Sequence, residues 1–231
     1  MRRQIKRIIK NIRRKIGRQS FSLNELDLRL AKYIKTRNGF FIEAGANDGI
    51  QQSNTLYFEK YLGWKGLLIE PIPSLADQCR VNRPSCIVEN CALVSSDYEQ
   101  PTIEMQYNGL MSIVTGAFGD AFKDQQHIQT GMKFLRNGQS PYKISVPAQT
   151  LSAVLSRHGV EHVDLLSLDV EGYELDVLRG LDFNRHKIGF LLIELWHEKR
   201  DSMIDLLSPF YRHVSDLYSN DKFADTLFQA K

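Results

Sequence analysis

From Phe40 to Leu217 short apolar runs alternate with segments of helical periodicity, and this rhythm restricts the fold more than any other property of the chain. Residues 40–42, 66–69, 86–88, 163–168 and 189–195 read as buried strands. Residues 53–62, 74–81, 150–158, 173–181 and 200–207 read as the helices between and after them. Strands spaced by helices form βαβ units, which predicts an α/β domain with a mostly parallel, twisted sheet and helices on both faces. Residues 211–217 and 225–229 form two further strands around the turn-rich Ser219-Asn220-Asp221. They are too close for a helical crossover, so the last strand is expected to be antiparallel.

Two regions stand outside the rhythm. Residues 101–107 and 143–147 read as short strands flanking 108–142, which holds Gly109, Gly116, Gly119, Gly131, Gly138 and Pro141 and shows little amphipathicity. A long stretch of this kind in a compact domain is functional or mobile, and here it is expected to be an insertion that caps the site. At the other end, residues 1–18 carry nine Lys/Arg and no acid, with Ile5, Ile8, Ile9, Ile12 and Ile16 on one helical face. Ser22-x-x-Glu25 reads as a capping box for a helix through Leu23, Leu26, Leu30 and Ile34, stopped at Asn38-Gly39. The expected organisation is a basic amphipathic leader (1–18), a helix packed on the main domain (19–38), and the main domain itself (39–231) with the 108–142 insertion.

Charge and cysteine content narrow the function. Without the leader, 21 basic residues face 27 acidic ones, a balance of −6, so the body offers no basic groove and nucleic acid is not an expected partner. Cys79, Cys86 and Cys91 are too few and too irregularly spaced for a disulfide framework or a metal knuckle, and they fit a reducing, cytoplasmic setting. The leader suits peripheral contact with an anionic membrane. A solvated arm, a nucleic-acid tail and an import signal are the alternatives.

The motifs sit where an open α/β sheet binds ligands, beyond the carboxyl ends of its strands. The first strand runs into Glu43-Ala44-Gly45-Ala46-Asn47-Asp48-Gly49. Its glycines are spaced G-x-x-x-G, whereas a pyrophosphate-binding turn wants G-x-G-x-x-G on a helix N-terminus. The acids Glu43 and Asp48 would repel a pyrophosphate and suit the cationic amino group of S-adenosylmethionine (SAM). Glu70 ends the second strand, about twenty residues on, where an acid binds both hydroxyls of a ribose. Asn90-Cys91-Ala92, after the third strand, lies where it can flank an adenine ring. Asp169, Glu171 and Glu174 follow the fourth strand, and Glu194 and His197 close the fifth. Glu174 is also explained as a charge favouring the next helix N-terminus.

These residues carry a resemblance. FIEAGANDG (41–49), LLIEP (67–71), NCAL (90–93), LSLDVEGYELDVLRG (166–180) and LLIEL (191–195) are similar, in order and spacing, to the FkbM family of methyltransferases, and DTLF (225–228) resembles its last strand. The resemblance covers about residues 24–230. It implies a Rossmann-like class I methyltransferase fold, SAM as methyl donor, and O-methylation of a sugar, glycan or related hydroxyl-bearing small molecule. It places Glu43, Gly45 and Gly49 at the methionine end of SAM, Glu70 at its ribose, and Asp169 and Glu171 at the reaction centre.

The expected cofactor residues are thus Glu43, Gly45, Ala46, Asn47, Gly49, Glu70, Pro71, Asn90, Cys91, Ala92 and Asp169. The candidate catalytic residues are Asp169, Glu171 and His197, one of which takes a proton from the acceptor hydroxyl. Asp169 with Glu194 offers oxygen ligands to Mg²⁺ as another route. Competing readings are a nicotinamide-dependent oxidoreductase, opposed by the glycine spacing, and a nucleic-acid N-methyltransferase, which wants an Asn/Asp-Pro-Pro-aromatic loop where this chain has Asp169-Val170-Glu171-Gly172. A non-catalytic SAM-binding module tethered by its leader is the third.

Overall fold

A computed structural model describes residues 19–135 and 140–231. The leader helix and Gly138 of the insertion lie outside the described residues.

Seven strands form the main sheet. They are β1 (Phe40–Ala44), β2 (Lys65–Ile69), β3 (Ile87–Glu89), β8 (His162–Leu168), β9 (Lys187–Trp196), β10 (Tyr211–Ser219) and β11 (Phe223–Ala230), in the order β10-β11-β9-β8-β1-β2-β3. Strands β3, β2, β1, β8 and β9 are parallel, and β11 enters antiparallel to both β9 and β10. The expected architecture is therefore present, antiparallel last strand included.

The strands alternate between two apolar layers. Ile42, Leu67, Leu166, Leu191 and Ile193 pack on one face against Leu151, Val154 and Leu155 of α5 (Leu151–Arg157), Val177 and Leu178 of α6 (Glu174–Arg179), and Met203 and Leu207 of α7 (Arg200–Leu207). Phe41, Leu68, Leu165, Leu192 and Leu227 face the other way, onto Leu26 and Leu30 of α1 (Leu26–Tyr33), Phe58 of α2 (Leu56–Leu62) and Cys79 of α3 (Pro73–Asn82). Burial on both faces explains why the parallel strands are continuous apolar runs with no polar alternation.

The N-terminal cap differs from expectation. Glu25 sits at φ 57°, outside helical geometry, after a 3₁₀ turn at Leu23–Glu25. The acid that caps is Asp27, fully buried, which accepts from the Phe21 N–H at 2.7 Å and from Ser20 Oγ at 2.6 Å. Ser22 Oγ in turn accepts from the Asp27 N–H at 2.8 Å. The box is displaced by two residues because the 3₁₀ turn delays the start of the helix.

The insertion is more regular than its sequence suggests. Strands β4 (Ala92–Val94), β5 (Thr102–Tyr107), β6 (Ile113–Val114) and β7 (Tyr142–Thr150) make a second sheet in the order β4-β7-β5-β6. Between β6 and β7 runs α4 (Ala121–Gly131), started by Asp120, whose side chain accepts from the Phe122 N–H at 2.8 Å. Among the described residues no helix is long and apolar enough to cross a membrane.

Candidate active site

The carboxyl ends of β1, β2, β8 and β9 open on one edge of the main sheet, and a cavity of about 1080 Å³ runs along it under α4. On the β1–β2 side the chain is held tightly. The Gly45 N–H donates to the Ile69 carbonyl at 3.0 Å. Gly45 lies at φ 81°, and a Cβ there would sit 1.8 Å from the Asp169 carbonyl oxygen. Only glycine lets β1 and β8 end this close together.

The Asn47 N–H donates to Glu70 Oε2 at 2.8 Å and the Ile72 N–H to Glu70 Oε1 at 2.9 Å. Burial outweighs these two donors and pushes the Glu70 carboxyl up to about 7. Asn90 Nδ2 donates to the carbonyls of Glu70 and Pro71, each at 2.8 Å, and so fixes the turn that carries Glu70.

Glu43 is engaged by the protein itself. Its Oε1 accepts from the Asn54 N–H at 2.7 Å, and its Oε2 accepts from Ser53 Oγ at 2.8 Å and Thr55 Oγ1 at 2.6 Å. Arg83 Nη1 stands 3.6 Å from it. Arg83 is fully buried, donates to the Gly49 carbonyl at 2.9 Å, and pairs with Glu59. Glu43 thus braces the loop between β1 and α2 rather than presenting a free carboxylate.

Glu43, Gly45, Ala46, Asn47, Glu70, Pro71, Cys91 and Ala92 line the cavity, and Asp169 joins them from β8. Gly49 and Asn90 do not line it. Gly49 turns onto Arg83 and Cys79, and Asn90 acts from behind the turn. The Cys91 thiol is pushed up to about 12, first by burial and then by Glu89, as expected of a packing residue.

The β8–β9–β11 side is built differently. Asp169, Glu171, Glu194 and Asp225 line the cavity together. Glu194 and Asp225 are directly opposed in the β9–β11 register, a placement that sets like charges about 5 Å apart on one face. None of Asp169, Glu194 and Asp225 accepts a side-chain hydrogen bond from the described residues. Burial, then Glu43, raises the Asp169 carboxyl to about 6. Burial, then Asp169, raises Asp225 to about 7, with Arg29 pulling the other way. Glu171 and Glu194 are raised well above the usual range by burial and by their acidic neighbours. Glu174 is the exception: its Oε1 accepts from the N–H groups of Val170 and Gly172 at 3.1 and 3.0 Å, tying the loop after β8.

The histidine in this cluster is not the expected one. His197 is exposed; its Nε2–H donates to the Asn220 carbonyl at 2.9 Å, and its N–H donates to the Lys222 carbonyl. It stands on the cavity rim but serves the β10–β11 hairpin. His127, from α4, is the histidine that meets the acids. Its Nε2 is 3.0 Å from Glu171 Oε2, yet off the line of a hydrogen bond, so the nitrogen is buried with no partner. Burial is the main cause that lowers the His127 imidazole to about 4; Lys222 acts in the same direction and Asp124 opposes it. Phe118 and Trp196 pack on the His127 ring at 5.0 and 5.9 Å, closing an aromatic wall. Arg83 and Asp225 are the residues that motif reading does not assign to the site; His127 is legible only as one of the residues in or beside the insertion, with Tyr107, Phe118, Phe122 and Tyr142, that could contact an acceptor.

The family described as Methyltransferase FkbM domain matches residues 43–216, about three quarters of the chain. The chain belongs to this methyltransferase family. Solved structures similar to this chain include three methyltransferases. A TehB-like SAM-dependent methyltransferase from Corynebacterium glutamicum is 12% identical with a TM-score of 0.46, over 89% of this chain and 88% of that one. A SAM-dependent methyltransferase from Aquifex aeolicus is 9% identical at 0.47, over 89% of each chain. A ribosomal protein L11 methylase from Lactobacillus delbrueckii subsp. bulgaricus is 7% identical at 0.45, over 90% and 77%. No curated protein matches.

The residues of this FkbM domain fit SAM. Glu70 accepts only two N–H groups, which leaves about two of its four lone-pair positions for a ribose diol. Asn54 Oδ1 lines the cavity beside Glu43, buried and unpartnered, an acceptor for a cationic amino group. The cavity exceeds the usual range for a single small ligand, so donor and acceptor can share it. Among the described residues no group of three or more His, Cys, Asp or Glu could hold a metal ion, so the Mg²⁺ route finds no support.

Proposed function

We propose that this methyltransferase methylates a hydroxyl of a sugar, glycan or related small molecule, with SAM bound over β1 and β2 and the acceptor over β8, β9 and β11. The observation that carries the reading is one cavity lined at one end by Gly45, Ala46, Asn47 and Glu70, and at the other by Asp169, Glu171 and Glu194. SAM, when bound, supplies a methyl group on a sulfonium that is already activated. The chain's own work is then to position the acceptor, exclude water and take one proton.

Asp169 is the best-placed base. Its carboxyl titrates near 6, so at neutral pH it is mostly ionised yet still basic enough to receive a hydroxyl proton. Burial and the neighbouring Asp169 and Glu174 raise the Glu171 carboxyl well above the usual range, and it lines the same end of the cavity, placed to hydrogen-bond the acceptor. The 109–134 segment, with Phe118 and His127, lines the acceptor side. We read residues 108–142 as a cap that closes over it.

The leader, with nine cations and an isoleucine stripe, supports peripheral membrane contact of a cytoplasmic enzyme. The test of the reaction is labelled methyl transfer from SAM to nucleotide sugars and cell glycans, beside calorimetry with S-adenosylhomocysteine (SAH) and NAD. Binding of SAH but not NAD, with a labelled methyl ether as product, is the expected result. NAD binding without SAH binding would overturn the reading, and SAH binding with no turnover on any acceptor would favour the non-catalytic module.

A further inference from the structure

The β8–β9–β11 end of the cavity gathers carboxyl groups. Asp169, Glu171, Glu194 and Asp225 converge there from β8, the loop after it, β9 and β11. Their charges are not answered by the protein at close range. Arg29 acts on Asp225 but donates to the Leu217 carbonyl. Lys222 and Lys123 lie exposed on the rim, the latter paired with Glu198. Lys199 is tied to the carbonyls of Ala117 and Gly172.

Two features show what the acids face. His127 is 6% exposed, lines the cavity, and turns an unpartnered Nε2 toward Glu171. At neutral pH its lowered basicity leaves that ring uncharged, able to accept a hydrogen bond. Trp196 supplies aromatic surface beside it, and aromatic faces attract cations; the Phe118 ring, 4.9 Å from that of Trp196, already carries the Lys199 ammonium at 5.7 Å. No three of the acids close on a metal-sized point among the described residues, so the negative charge is spread over a volume suited to an organic cation.

We propose that the acceptor carries a protonated amine, as an amino sugar or amino alcohol does, held between Glu194, Asp225 and Glu171 with an N–H directed at His127 Nε2 and its carbon skeleton against Trp196. This rests on the methyl-transfer reading and names the class of acceptor it takes. An ammonium ion supplies the donors that the unbonded carboxylates and the imidazole lack, and it answers the opposed Glu194–Asp225 pair. The amine anchors the molecule, and a neighbouring hydroxyl faces Asp169.

The test uses the full chain saturated with SAH and two probes of similar size, benzylammonium and benzyl alcohol, titrated while tryptophan fluorescence is followed. SAH binding is measured first; its absence would sink the methyl-transfer reading itself. With SAH bound, benzylammonium should bind at least tenfold tighter than benzyl alcohol at pH 8. That advantage should shrink toward unity at pH 5, where Asp169 and Asp225 gain protons. The Glu194→Gln/Asp225→Asn double variant should lose the advantage while its SAH affinity stays within twofold. Equal binding of the two probes to the wild type overturns the inference alone, as does a preference that the double variant retains. Loss of SAH affinity in the double variant would assign the acids to the cofactor instead. If the variant fails to fold, the pH series on the wild type decides, since a preference unchanged from pH 8 to pH 5 contradicts the proposal.

Discussion

The two halves of one sheet edge treat their carboxylates in opposite ways. On the β1–β2 side Glu43 and Glu70 are bound by backbone N–H groups and hydroxyls, and Glu43 also faces a buried guanidinium. On the β8–β9–β11 side Asp169, Glu194 and Asp225 crowd together with no such donors among the described residues. Burial raises Glu70 as it raises the others, so burial does not separate the halves. Satisfaction does. A polar group kept buried and unmatched lowers stability, and it persists where it serves a ligand or a reaction. The braced half is held by its own donors, and the crowded half leaves its carboxyls unmatched among the described residues.

The largest effect that would break this comparison is catalytic. Asp169→Asn should keep SAH affinity within about twofold and lose on the order of 10²–10⁴-fold in turnover, the usual share of a proton-transfer group. Near-normal labelled methyl transfer by that variant would take Asp169 out of the chemistry. Next comes the junction of the two halves. Gly45→Ala drives a Cβ into the Asp169 carbonyl at 1.8 Å from a left-handed backbone, whereas Gly116, also at positive φ, has nothing within 4 Å of its Cβ position. In urea unfolding Gly45→Ala should lose about 3 kcal/mol or more and Gly116→Ala only about 1 kcal/mol. Equal losses would show that the approach of β1 to β8 is not tight.

Smaller effects sharpen the division. Glu70→Gln should weaken SAH by roughly 1–3 kcal/mol, the worth of charged hydrogen bonds to a ribose, without altering the benzylammonium preference. An unchanged SAH affinity in calorimetry would move the ribose elsewhere. His197→Ala should change turnover by less than about threefold, because its ring is bonded to the Asn220 carbonyl outside the acid cluster. A hundredfold loss would restore it as the base.

What was legible in the sequence follows the same line. The parallel strands announced themselves because burial on both faces makes them apolar without interruption. Gly45, Glu70 and Asp169 were legible because each lies at a strand's carboxyl end, where local sequence fixes position. Asp225 was visible only as part of a strand; that it faces Glu194 depends on a register between strands thirty residues apart. His127 lies on α4, whose largely exposed surface weakens its apolar pattern, so the sequence shows it only as one residue of the insertion and not as the histidine beside Glu171. His197 follows Glu194 closely in sequence, and a 3₁₀ turn at His197–Lys199 sets it on the exposed rim, which spacing alone does not show. Glu43 was placed correctly at the edge, but its donors at Ser53, Asn54 and Thr55 and its neighbour Arg83 could not be read from spacing.

The most direct measurement compares the stability of Glu43→Gln and Asp225→Asn by urea unfolding at pH 8 and at pH 4. Removing the Glu43 charge unpairs a network around buried Arg83 and should cost about 3 kcal/mol at pH 8. Asp225 behaves in reverse. Its folded carboxyl titrates near 7, above its ordinary value of 3.8. The folded state therefore binds more protons between those values, and stability falls as pH rises through that window. Asp225→Asn should then stabilise the protein at pH 8, by at most about 4 kcal/mol, and the gain should vanish toward pH 4. Opposite signs at pH 8 are the result this account predicts. Destabilisation by both substitutions, with no pH dependence in the Asp225→Asn effect, would contradict it.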